Sequence, residues 1–224
     1  MPINASAAEA NPGGGVVLLH GIARSSRAFG RLERTLTEAG FAVLNLDYPS
    51  RRARIEDLAE TIHEAIDGFA ATVPGEMHFV AHSMGGLLAR VYLARHRPPR
   101  LGRVVMLGTP NGGSEIADLL RNFPPFGAFF GPAGPQLCTP QHGGGRWPAS
   151  DYPVGIIAGR RAIDPFGYLV LPRPNDGRVS VANTRIDGMA DHIVIDAAHP
   201  WLMTNREAVR QTLSFLRRGR FSRA

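Results

Sequence analysis

A serine stands between small residues in Ala81-His82-Ser83-Met84-Gly85-Gly86. A short apolar run, 77–81, precedes it, and a stretch at helical spacing, 84–96, follows. Strand, sharp turn with a serine, then helix is the arrangement of a nucleophile elbow. The turn strains the serine backbone and brings strand and helix close together, so the places two before and two after need small side chains. Ala81 and Gly85 occupy them. The usual pattern has Gly first, and Ala81 departs from it by one methyl. A helix starting there aims its first amides at the space beside the hydroxyl, which makes the Met84 N–H an expected oxyanion donor. A second donor is expected from the loop after an earlier strand. Leu19-His20-Gly21-Ile22 offers the N–H of Ile22, with His20 read as a structural loop residue.

A serine nucleophile needs a base, and the base needs an orienting acid. The expected chain order is Ser, then Asp or Glu, then His. Two histidines bracket the apolar run 192–196. His199 lies past its carboxyl end, on the edge where Ser83 should emerge. His192 lies at the other end, roughly 20 Å away at ~3.3 Å per strand residue. Geometry therefore selects His199. The acid read best from position is Asp176, in Pro174-Asn175-Asp176-Gly177. An Asp-Gly pair is also ordinary turn chemistry, and Asp164 is the alternative.

Other chemistries lack their residues. The chain has no Lys, so a P-loop, a Schiff-base lysine and a kinase strand lysine are all absent. Cys138 is the single cysteine, which excludes an internal disulfide or a Cys-based metal cluster. His63, His96 and His142 are isolated and no His-Glu-x-x-His occurs, so neither a metal nor another cofactor is expected.

The elements that must position these groups alternate. Apolar runs at 15–20, 41–46, 77–81, 104–107, 153–158 and 192–196 read as strands, and stretches at 26–40, 55–71, 84–96 and, from Trp201 or Thr204, to Leu216 as helices. Such alternation predicts a parallel sheet covered on both faces, with working residues beyond the carboxyl ends of the strands. Segment 121–150 breaks the rhythm. It is rich in Gly and Pro and carries Phe123, Phe126, Phe129, Phe130 and Trp147. Its length suggests a functional or mobile excursion. The aromatics fit an apolar pocket roof, or equally a surface excursion packing its own cluster.

At 224 residues, 44% hydrophobic and 20% charged, the chain suits one globular domain. Residues 1–14 are small and polar, without the pattern of a signal peptide, and read as a flexible N-terminal segment. No stretch approaches the ~20 apolar residues of a membrane span, so a cytoplasmic location is the expectation. The net charge of +6 comes from scattered arginines that interleave with no aromatics, so nucleic acid is not an expected partner. The tail Leu216-Arg217-Arg218-Gly219-Arg220-Phe221 carries a weak signal for peripheral contact with an anionic membrane.

These residues resemble the α/β-hydrolase family, and most closely small bacterial lipases and esterases with Ala-His-Ser-Met-Gly-Gly at the elbow. Val17-Leu18-Leu19-His20-Gly21-Ile22 is similar to their oxyanion loop, and Asp176-Gly177-Arg178-Val179 and the strand ending at His199 to their late motifs. The likeness runs from about Gly15 to Leu216. It implies Ser83 as nucleophile, His199 as base, Asp176 as orienter, and the Ile22 and Met84 amides as oxyanion hole. Fewer than fifteen residues precede the first strand, so it further implies the minimal fold, about six mostly parallel strands flanked by helices. Segment 121–150 stands where larger relatives keep a cap or lid.

The chemistry expected is cleavage of a small-molecule or lipid carboxylic ester through an acyl-enzyme, with Phe123, Phe126, Phe129 and Phe130 around the acyl group. The same residues suit an acyltransferase or a thioesterase, and the fold also hosts proteins that bind without chemistry.

Overall fold

The structure, a computed structural model, describes residues 14–223, and of Phe166 the backbone only. The expectation for residues 1–13 lies outside the described residues. Six strands form one sheet: β1 (Gly15–Leu19), β2 (Ala42–Leu46), β3 (Met77–His82), β4 (Leu101–Leu107), β5 (Val154–Gly159) and β6 (Asp191–Ile195), in the order β2-β1-β3-β4-β5-β6. Every neighbouring pair is parallel. The helices are α1 (Gly30–Glu38), α2 (Ile55–Thr61), α3 (His63–Thr72), α4 (Met84–Arg95), α5 (Glu115–Leu120), α6 (Pro124–Phe130), α7 (Pro165–Leu169) and α8 (Arg206–Arg218). Among the described residues no helix is long and apolar enough to cross a membrane.

Strands covered on both faces have no polar side, which is why they read as continuous apolar runs. Side chains alternate across the sheet. Val17, Leu19, Phe79 and Met106 join one core with Leu58 and Leu88 of α2 and α4. Val16, Leu18, Val80 and Val105 join the other with Leu32 and Phe215 of α1 and α8. Helix α4 is buried from Met84 to Leu93 because it crosses the middle of the sheet. Helix α8 begins with Asn205, whose side chain accepts from the Glu207 and Ala208 amides, and ends at Gly219 with φ 70°.

The chain steps outward from β1 to β2, then returns to place β3 on the other side of β1. The carboxyl ends of β1 and β3 therefore flank the switch point, where open parallel sheets form their crevices. Ser83 and the 20–24 loop both lie there.

One expected helix changes, and two other segments gain a structural description. The helix expected over 55–71 bends at Ile62, where α2 gives way to α3. The Thr61 hydroxyl donates to the Leu58 carbonyl at 2.8 Å, a side-chain bond that competes with the helical ladder. Segment 121–150 is tightly anchored. Gln136, buried, donates to Glu56 at 2.8 and 2.9 Å and accepts from the Ile55 amide at 2.8 Å. Arg90, buried on α4, donates to the Pro148 carbonyl at 2.6 and 3.0 Å. The carboxyl-terminal tail does not present an aromatic to a membrane: Phe221 is 3% exposed and packs on Phe215, centroids 5.0 Å apart. The Phe221 amide donates to Asp191 at 2.8 Å, and Arg223 pairs with the same carboxylate.

Phe221→Ala should therefore cost about 3 kcal/mol or more in a denaturant melt, whereas a loose tail would leave the midpoint unmoved. Burial also lowers His78 of β3 and His192 of β6 from the ordinary 6.5 to about 4. Between those values the unfolded chain binds protons that the folded chain refuses, so stability is full above pH 6.5 and falls as pH drops toward 4. Thermal melts across that window should show the loss, and His192→Gln should make it shallower; identical profiles would contradict the assignment.

Candidate active site

Ser83 follows β3 and caps α4 with φ 55° and ψ −126°. Such a conformation costs a non-glycine residue about 1–3 kcal/mol and needs support from its surroundings. The Ser83 amide donates to the Leu107 carbonyl at 2.9 Å, and its own carbonyl accepts from Gly86 at 3.0 Å. A Cβ on Gly85 would sit 2.2 Å from the Leu19 carbonyl oxygen, and one on Gly86 would sit 2.0 Å from Thr109 Oγ1. Ala81, wholly buried, shows that a methyl fits two places before the serine.

His199 stands just beyond β6 and reaches back over the sheet edge. Its Nε2 is 2.9 Å from Ser83 Oγ, and its Nδ1 is 2.7 Å from Asp176 Oδ2. A carboxylate only accepts, which assigns the proton to Nδ1 and leaves Nε2 to accept from the serine hydroxyl. Asp176 is buried, and its second oxygen accepts from the amides of Arg178 at 3.0 Å and Val179 at 2.9 Å. The turn chemistry of Asp-Gly and the contact with His199 thus coexist, one on each oxygen. The His199 amide donates to the Asp176 carbonyl at 2.9 Å, fixing the two loops together. Gly108, at φ 57°, passes beneath: a Cβ there would meet Asp176 Oδ2 at 3.0 Å and His199 Nδ1 at 3.1 Å.

The alternatives do not join this series, although Asp164 lines the space over Ser83. Asp164 accepts from the Gly167 amide at 2.9 Å and pairs with Arg178 at 2.7 Å. His192 meets the Thr184 hydroxyl at 3.1 Å, at the start of β6. His20 donates from Nδ1 to the Gly21 carbonyl at 2.9 Å and stacks on Tyr48, whose hydroxyl donates to the His20 carbonyl. Burial pushes His20 below the ordinary histidine value.

A cavity of about 570 Å³ opens over Ser83 and His199. Ile22 lines it beside the serine. Met84 is the first residue of α4, so its N–H is among the amides with no intrahelical acceptor. The far wall is apolar, formed by Ile116, Leu120, Phe126, Phe130 and Leu137, and Phe129 lies at the rim. Phe123 is not among the lining residues: it precedes α6, and it is 57% exposed. Helix α5, which supplies Ile116 and Leu120, escapes the sequence reading. Its signal is Ser114, whose side chain accepts from the Ala117 amide, ahead of Glu115 in the first turn.

A family model described as alpha/beta hydrolase fold matches residues 15–137. Among solved structures, the mature form of a Bacillus licheniformis lipase, BlEst2, is similar with a TM-score of 0.71 and 20% identity, covering 99% of this chain and 96% of that one. A thermophilic esterase from Thermogutta terrifontis is similar with a TM-score of 0.62 and 17% identity, covering 94% and 92%. The metagenomic carboxyl esterase MGS0156 is similar with a TM-score of 0.69 and 20% identity, covering 85% of this chain and 65% of that one. At these identities the structural likeness is one of fold. The family model spans more than half of the sequence, from β1 through the wall of the cavity, and the chain belongs to the α/β hydrolase fold family.

Proposed function

We propose that the protein hydrolyses carboxylic esters through an acyl-enzyme on Ser83. The observation that carries this reading is the hydrogen-bonded series from Asp176 through His199 to Ser83, ending at the floor of an apolar cavity. Ser83 Oγ attacks the ester carbonyl carbon as its proton passes to His199 Nε2. The negative charge on the carbonyl oxygen faces the Ile22 and Met84 amides. Collapse breaks the bond to the alcohol oxygen, which takes the proton from Nε2 and leaves. Water then attacks the acyl carbon, giving one proton to His199, and that proton returns to Ser83 as the acid departs.

Asp176 holds the imidazole in the tautomer whose Nε2 is bare and opposes the charge of the imidazolium. The acyl chain lies against Leu120, Phe126, Phe130 and Leu137. Segment 121–150 acts as a fixed cap over that chain, held by Gln136 and Arg90. The apolar wall favours an acyl group over a polar one because burying it removes apolar surface from water.

On p-nitrophenyl hexanoate, Ser83→Ala should lower kcat on the order of 10⁶-fold, and Asp176→Asn by roughly 10⁴-fold. Both should keep the wild-type melting profile to within about 1 kcal/mol. Wild-type turnover in the folded Ser83→Ala protein would contradict the reading.

A further inference from the structure

A second cavity, of about 440 Å³, adjoins the first. Ala23, Arg24 and Phe129 line both. Its other walls come from the β2–α2 connection, with Arg51 and Arg52, and from Ala128 of α6. The two cavities differ in chemistry: the first is walled mostly by aliphatic and aromatic side chains, whereas Arg24, Arg51 and Arg52 meet the second beside Tyr48, Ser50 and Phe129.

The groove is built rather than incidental. Ala23 holds φ 57°, and its amide donates to Ser50 Oγ at 3.1 Å, tying the 20–24 loop to the 48–52 turn. Arg51 lies over the Phe129 ring, 5.2 Å from its centroid, and donates to the Phe129 carbonyl at 3.3 Å. A Cβ on Gly131 would strike the Arg51 carbonyl oxygen at 1.8 Å, so the end of α6 rests against this turn.

Arg24, Arg51 and Arg52 are exposed, and among the described residues none of the three is paired with a carboxylate. The nearby acids are committed elsewhere. Asp47 accepts from the amide and hydroxyl of Ser26 at 2.7 and 2.9 Å, and Glu56 is held by Gln136 and lies 3.5 Å from Arg54. Three unneutralised guanidinium groups about one polar groove make a local positive field that attracts an anion. Their planar donor forks suit an oxyanion such as phosphate or carboxylate.

The geometry points to a substrate with two ends: an acyl chain in the apolar cavity and an alcohol bearing an oxyanion in the arginine groove. This rests on the ester-hydrolase reading and narrows it to anionic esters. Ser83 lies where the apolar cavity meets the sheet edge, and Arg24 stands on the border between the two spaces. An ester carbonyl at Ser83 with its chain under α6 leaves the groove as the polar exit for the alcohol. A neutral alcohol gains nothing from the arginines; a phosphorylated one gains charge-assisted hydrogen bonds, each of them stronger than a neutral one.

The test compares three soluble hexanoyl esters, of glycerol, of glycerol 3-phosphate and of glycerate. Wild-type protein should prefer an anionic ester over the glycerol ester by about tenfold or more in kcat/KM. Rising salt should shrink the preference, since the arginines are exposed. In the variant carrying Arg51→Gln and Arg52→Gln the ratio should fall toward one. The better of the two anionic esters identifies phosphate or carboxylate as the group held. An equal rate on all three esters, or an equal loss on all three in the variant, would overturn the inference while leaving ester hydrolysis intact. If wild type cleaves none of them, the hydrolase reading fails separately. Calorimetric binding of glycerol 3-phosphate to the Ser83→Ala protein then decides the groove: binding lost on removing Arg51 and Arg52 supports it, and no binding overturns it.

Discussion

Helix α4 lies so close to the end of β1 that one methyl on Gly85 would sit 2.2 Å from the Leu19 carbonyl oxygen. The rest of the site depends on that approach. A helix starting there, directly after a buried strand, leaves the connecting residue no room for an ordinary turn. Ser83 takes up the reversal at φ 55°. The strain is sustained because α4 is buried along most of its length, and its packing far outweighs the cost of one unfavourable residue. The hydroxyl is thereby lifted off the sheet and the first amides of α4 are turned toward the same space.

The partners of Ser83 come from sequence positions over ninety residues away, and the parallel sheet brings them back. His82 stands opposite Leu107, and Gly159 opposite Ile195, so the strands end along one edge. Each connection beyond that edge then carries one group. The loops are also locked to one another: the His199 amide donates to the Asp176 carbonyl, and buried His82 meets the His199 carbonyl at 3.0 Å. Burial and neighbouring His199 push His82 well below the ordinary histidine range, so it stays neutral and serves as a donor to that carbonyl. The site is a rigid consequence of register rather than of loop flexibility.

The features read correctly from the sequence are those with a local or periodic cause. The six strands show as apolar runs, and β1, β2, β3, β5 and β6 begin within one residue of where the pattern puts them. The β4 strand begins at Leu101, ahead of the expected 104, because Gly102 and Arg103 interrupt the apolar run; the pairing is irregular there, between Met77 and Phe79. The structure brings Ser83 and His199 together, and residue type, chain order and strand ends are what single them out in the sequence. The anchoring of segment 121–150 is hidden for the opposite reason. Its anchors, Gln136 on Glu56 and Arg90 on Pro148, join residues some sixty to eighty positions apart through isolated polar side chains, which leave no periodic trace. Phe123 and Phe126 look alike in sequence, yet one is exposed and the other lies in the cavity wall. The arginine groove is invisible for the same reason: Arg24 and Arg51 line one space only once the sheet has formed.

The central claim is that His199 activates Ser83. A fluorophosphonate probe tests this directly, since it reacts with an activated serine and requires no knowledge of the ester. Intact mass and peptide mapping should place a single label on Ser83, with the rate reduced by orders of magnitude in a folded His199→Ala protein. A label on another residue, or an undiminished rate in that variant, would contradict the account.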